Sequence, residues 1–144
     1  MSGDMRVCDL DPDLKKMLSE FRFKKNNSTN AAIIMKVDRE THRIVLDEAI
    51  DDLESIEDMV EEHLPSHQPR FLVLSYKVTH SSTNRISYPL CFLFISPQDC
   101  NPELQMMYAG SKLSLQKELD ITKVFELREL EEFTEEWLLS KLDK

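Results

Sequence analysis

The chain has 144 residues, 41% of them hydrophobic, which suits one domain burying roughly 70% of its unfolded surface and leaves no room for a second. A formal charge of -9 excludes nucleic acid and anionic membrane as main ligands, because a net-acidic surface repels both. Cys8, Cys91 and Cys100 are odd in number, widely spaced and without a CxxC pair, so they read as free thiols in a reducing cytosol.

The opening "MSGDMRVCDLDPDLKK" has acidic residues and no continuous apolar segment, so it is not a secretory signal, and no window approaches the length of a transmembrane helix. Residues 1–6 are expected as an arm on a single domain spanning 1–144. Asp11 and Pro12 open a first helix with Leu14, Met17, Leu18 and Phe21 at helical spacing, running to about Lys24, where "KKNNSTN" breaks it. "AAIIMKVD" and "HRIVLDE", joined by "RET", predict an antiparallel hairpin. A short acidic helix follows from about Leu53 to His63 on Ile56, Val60 and Leu64, closed by Pro65.

"RFLVLSYKV" and "ISYPLCFLFIS" are apolar on both alternating faces, as strands in the middle of a doubly covered sheet are. "THSSTNR" between them predicts a polar hairpin tip, and Pro89 a bulge or an unpaired position. A long helix runs from Pro102 to about Leu119: Asn101 is a good N-cap, Pro102 loses nothing at the first helical position, and Glu103 meets the positive end of the dipole. "KVFELRE" predicts a last strand. "LEEFTEEWLLSKL" predicts a closing helix that buries Leu130, Phe133, Trp137 and Leu138 and lacks a Ser, Thr, Asp or Asn cap. The order predicts an α/β fold, a central mixed sheet with helices on both faces.

The chain offers little for catalysis. Gly3 and Gly110 are its only glycines, so no P-loop or GxGxxG exists, and GxSxG and HExxH are also missing. His63 and His67 are four apart, but Pro65 between them prevents the continuous helix that would aim both rings at one metal. His42 and His80 fall on strand or turn ground and read as surface residues. Cys91 lies in an apolar strand that makes a thiol inert; Cys100 precedes a helix N-terminus but has no evident base, which leaves a thiol enzyme there as the reading from another class. The acidic "DEAIDDLESIEDMVEE" and "ELEEFTEE" read as solvated faces. No cofactor and no metal is expected.

Gly110 is harder to place. On the long helix Leu104, Met107, Tyr108, Ser111, Leu115 and Leu119 form the buried stripe, and Gly110 lies off it although an interior glycine costs roughly 1 kcal/mol. A third of a turn away Met106, Ala109, Gly110 and Leu113 make a second, low stripe flanked by Gln105 and Lys112. It is either a second buried side or a docking face where small residues let another backbone approach.

"MMYAGSK", after a strand ending "FLFISPQ" and at the head of a long helix, resembles the signature of the actin-depolymerising factor homology family (ADF/cofilin-like). "NAAIIMKVD", "QPRFLVLSYK", "RISYPLCFLFISP", "QMMYAGSK", "TKVFELR" and the tryptophan of "EEWLLSKL" are similar, in order, to the blocks of its glia maturation factor branch, from about Val7 to the C-terminus. The resemblance implies a single ADF-homology domain in the cytoplasm on the actin cytoskeleton. It implies a non-enzymatic monomer that binds the actin-related protein 2/3 complex, inhibits nucleation and dissociates branches, with the first actin subunit of a daughter filament as a further partner. It implies one surface from Ser2, Gln105, Met106, Ala109, Gly110, Lys112 and Leu113, and a second from His80, Asn84, Arg85, Glu135 and Glu136. Ser2 is, by the same resemblance, a candidate phosphorylation site. Cofilin-type binding and severing of actin is the alternative, but such chains carry basic residues just ahead of the methionine where this one has Glu103 and Gln105. A misplaced interface carboxylate costs up to several kcal/mol.

Overall fold

In the computed structural model, which describes residues 9–23, 30–65, 67–119, 121 and 123–142, one twisted sheet carries helices on both faces. The elements in chain order are β1 (Asp9–Leu10), α1 (Pro12–Phe23), β2 (Ala31–Asp38), β3 (Arg43–Ile50), α2 (Ile56–His63), β4 (Arg70–Ser75), β5 (Val78–Thr79), β6 (Ile86–Ser87), β7 (Leu90–Ile95), α3 (Pro102–Leu119), β8 (Lys123–Leu127) and α4 (Glu135–Leu142). The sheet order is β1-β3-β2-β4-β7-β8, antiparallel through its centre and parallel where β1 meets β3 and β7 meets β8. The expected end of the first helix at Lys24, the break after it, and the arm over residues 1–6 lie outside the described residues.

The period of two explains how the sheet is covered. Ile33, Met35, Phe71, Val73, Phe92 and Phe94 point to one side and pack with Leu14 and Leu18 of α1 and Met107, Tyr108 and Leu115 of α3. Ala32, Ile34, Leu72, Leu74, Leu93 and Ile95 point to the other and pack with Met59 of α2, Phe133, and Leu138 of α4. Strands apolar on both faces are therefore the middle of the sheet, as their sequences predict.

Pro89 is an unpaired position and not a bulge. The β4–β7 ladder ends at Ser75 opposite Leu90, and the same register resumes at Val78 opposite Ser87 as a separate two-stranded ribbon. At the junction Tyr76, opposite Pro89 in that register, donates its N–H to the Pro89 carbonyl at 3.4 Å; the reciprocal bond is the one proline has no N–H to make, and the ladder breaks there. The irregularity lies instead in β3. Ile34 faces Glu48 and Met35 faces Leu46, which makes Asp47 the extra residue of a bulge.

Two helix boundaries differ from the sequence reading. α2 starts at Ile56 rather than Leu53 because Ser55 caps it, its Oγ accepting from the Asp58 N–H at 3.0 Å, and Met59 rather than the half-buried Val60 fills its core position. The closing segment is two pieces: a 3-10 turn over Leu130–Glu132, then α4, whose N-cap is Thr134, with Oγ1 accepting from the Trp137 N–H at 3.1 Å. A cap is thus present, one residue ahead of the acidic first turn, while Phe133 and Leu138 are buried and Leu130 and Trp137 half-buried. Thr134→Ala is expected to cost about 1 kcal/mol, read as a lower melting temperature by circular dichroism.

Candidate protein-docking surfaces

α3 is held by its first turn and by its middle. Asn101 Oδ1 accepts from the N–H of Glu103 at 2.8 Å and of Leu104 at 3.3 Å. Met107, Tyr108, Ser111, Leu115 and Leu119 are buried, Leu104 half-buried. The Tyr108 ring lies 5.2 Å from that of Phe71, which in turn contacts Phe92 and Phe94. The Tyr108 hydroxyl accepts the Val37 N–H at 2.9 Å, beyond the last β2–β4 pair, and Arg70 Nη1 reaches it at 3.5 Å. Burial raises the Tyr108 pKa, so the group remains a neutral hydroxyl.

Arg70 is itself buried and committed. Its Nε donates to Asp47 Oδ2 at 2.9 Å, and its Nη1 to Gln68 Oε1 at 3.1 Å and the Pro69 carbonyl at 2.8 Å. The β3 bulge therefore delivers a carboxylate to the guanidinium beneath α3. The pairing compensates a buried positive charge, which would be costly if left alone.

The opposite side of α3 is open. Met106 is 72% and Leu113 67% exposed, Ala109 is exposed, and Gly110 is half-exposed between them. The second stripe is thus an outward ridge, not a second buried side. Of its flanks, Gln105 is half-buried, and Lys112 Nζ stands 3.4 Å from Glu126 Oε1 of β8. Glu103 is bonded by Arg39 Nη2 at 2.7 Å, and the two border a shallow groove with His42, Met106 and Met107. His42, in the left-handed region at φ 54°, also accepts the Asp9 N–H through its carbonyl. Ser2 lies outside the described residues.

The second set gathers around the β5–β6 ribbon and α4. The tip is closed by His80 N–H to the Arg85 carbonyl and Asn84 N–H to the His80 carbonyl, both 2.8 Å. Asn84 adopts φ 56°, which asparagine tolerates. His80 Nε2 is 2.9 Å from Ser87 Oγ, Arg85 is exposed, and so is Glu136. Glu135 differs, since Oε2 takes a hydrogen bond from the buried Tyr76 hydroxyl. α3 and α4 pack on opposite faces of the sheet, so the two sets belong to different sides of the molecule.

The remaining nucleophiles and ligands are dispersed. Burial pushes the Cys91 thiol up to about 12, despite Lys123, and Cys100 is buried and free. Cys8 lies outside the described residues. His63 Nδ1 sits 2.8 Å from Glu48 and His67 Nδ1 3.1 Å from Asp99, so the two rings serve different carboxylates. Among the described residues no metal-binding group of three or more ligands occurs, and no helix is long and apolar enough to cross a membrane.

The cofilin/tropomyosin-type actin-binding protein family matches residues 7–143. Glia maturation factor of Drosophila melanogaster is 50% identical over 140 residues, 97% of this chain and 99% of that protein. Human glia maturation factor beta is 51% identical over 142 residues, 99% of this chain and 97% of that one. The solution structure of glia maturation factor from Caenorhabditis elegans superposes with a TM-score of 0.80 at 40% identity, covering 98% of this chain and 99% of that one. The crystal structure of Streptomyces griseoflavus cofilin, at 20% identity and a TM-score of 0.77 over 93% of this chain and 96% of its own, has the same fold. With half its residues identical along nearly the whole length of both relatives, the chain belongs to the cofilin/tropomyosin-type actin-binding family, in its glia maturation factor branch.

Proposed function

We propose that the chain is a non-catalytic regulator of branched actin, which grips the actin-related protein 2/3 complex in the cytoplasm through the α3 ridge and promotes loss of branches. What supports this reading is the ridge itself: Met106 and Leu113 project from α3 while Ala109 and Gly110 keep the helix thin between them. A cleft between subdomains of an actin-like subunit can close on such a strip. Arg85 and the hairpin, with Glu136, form the second contact, directed at the first actin subunit of the daughter filament. Each contact needs roughly 800 Å² per partner, which a chain of this size can offer.

The action is mechanical. A monomer engaging the junction through two faces shifts it towards the separated state only as far as it binds that state better. Branch lifetime watched by fluorescence microscopy, with and without the protein, tests this: shortened lifetimes are expected, with bare filaments left whole. Severed bare filaments with unaltered branches would instead favour cofilin-type activity.

Charge at the head of α3 separates these two modes. Glu103 and Gln105 stand where a cofilin-like chain carries cations, and the exposed Arg39–Glu103 pair contributes at most about 1 kcal/mol to the fold. Glu103→Lys with Gln105→Lys is expected to raise co-sedimentation with bare actin filaments by about tenfold, checked in a pelleting assay.

The arm around Ser2 joins the same surface in this reading, as the family resemblance implies. A phosphate on Ser2 would add about two negative charges there. Ser2→Asp is therefore expected to weaken association with the complex, measured by fluorescence anisotropy titration; unchanged affinity would remove the arm from the interface.

A further inference from the structure

The β5–β6 ribbon has two residue pairs and is too short to be stable alone, so whatever holds its root sets where its tip points. Tyr76 is that root. It follows β4 directly, is 3% exposed, packs in the core shared by α2 and α4, and donates its N–H to the Pro89 carbonyl across the hairpin. Its hydroxyl donates to Glu135 Oε2 on the first turn of α4. Burial first, and that bond next, raise the Tyr76 pKa above the ordinary tyrosine range, so the hydroxyl remains a donor through neutral pH.

Glu135 is held from a second side. Its backbone N–H donates to Glu57 Oε2, in the first turn of α2, at 3.1 Å. A chain of two hydrogen bonds, Tyr76 to Glu135 to Glu57, therefore fastens the hairpin root, the start of α4 and the start of α2 together. His80, Asn84 and Arg85 stand on one side of this fastening and Glu136 on the other.

We propose that Tyr76 and Glu135 are positioning residues that fix the β5–β6 hairpin against α4, so that His80, Asn84 and Arg85 meet a protein partner in one orientation with Glu136. Glu135 contributes through its inward bond and not by touching the partner. The inference rests on the two-surface reading above. It assigns to Glu135 a role different from that of its neighbour Glu136, although both are exposed acids in the same helical turn.

The substitutions Tyr76→Phe, Glu135→Ala and Glu135→Gln separate the possibilities. Phenylalanine keeps the buried ring, and glutamine keeps an acceptor oxygen for the Tyr76 hydroxyl while discarding the charge. Amide hydrogen exchange is read at His80 and Asn84, whose N–H groups close the tip, and branch dissociation is read in parallel with binding through α3.

Tyr76→Phe and Glu135→Ala are expected to speed exchange at the tip by about tenfold and slow branch dissociation comparably, with α3-mediated affinity within about twofold of the parent. Glu135→Gln is expected to stay near the parent in both. A Glu135→Gln protein as defective as Glu135→Ala would mean that the charge itself meets the partner, and would overturn the proposal. So would tip exchange unmoved by Tyr76→Phe. Should the parent protein leave branches intact, the functional reading falls, and exchange alone decides whether the fastening exists.

Discussion

Gly110→Leu is expected to abolish association with the actin-related protein 2/3 complex, a loss of about 100-fold or more in affinity, while the melting temperature holds or rises. Gly110 lies in the interior of α3 and no described glycine has positive φ, so the backbone does not require glycine there. Leucine is the better helix former by about 1 kcal/mol. What the substitution adds is a branched side chain midway along the low strip between Met106 and Leu113, where a clasping partner's backbone needs room. Alanine at the same position adds one carbon and should weaken binding far less. Isothermal titration against the purified complex, beside a thermal melt, checks the pair of outcomes. A large loss of stability would place Gly110 in the core, and parental affinity would remove the ridge from the interface.

The low stripe was legible because helical period separates it from the buried one, but spacing left open whether a second side covered it, and the exposure of Met106 and Leu113 decides that. The strand period of two identified β4 and β7 as central strands, since no exposed face interrupts their apolar runs, whereas β2 was readable only as one arm of a hairpin. What sequence spacing did not convey was contact between distant segments. Arg39 meets Glu103 across 64 positions, Tyr76 meets Glu135 across 59, and Val37 finds Tyr108 across 71. Each is set by the crossing of elements, not by local pattern. Thr134 is a different matter: a threonine directly before two acidic residues is a readable helix start, obscured because the apolar spacing of Leu130 and Phe133 continues through the preceding 3-10 turn.

Tyr108 carries the other large effect, and its two functions can be separated. Tyr108→Ala removes a 2%-exposed ring from contact with Phe71 and is expected to cost about 3–5 kcal/mol, enough to consume much of the stability of an ordinary domain. Tyr108→Phe keeps that ring and deletes only the oxygen. The Val37 N–H, past the end of the β2–β4 ladder, then loses its acceptor, and Arg70 loses a more distant one at 3.5 Å. A buried donor left unsatisfied costs about 1–3 kcal/mol, so the phenylalanine variant should fall between the parent and the alanine variant in urea denaturation. Faster exchange confined to the Val37 amide and its β2 neighbours would identify the lost bond as the cause. If Tyr108→Phe denatures with the parent and the Val37 amide exchanges as before, then the hydroxyl does not anchor α3, and the helix is held over the sheet by the packing of Tyr108 with its apolar neighbours Met107 and Leu115.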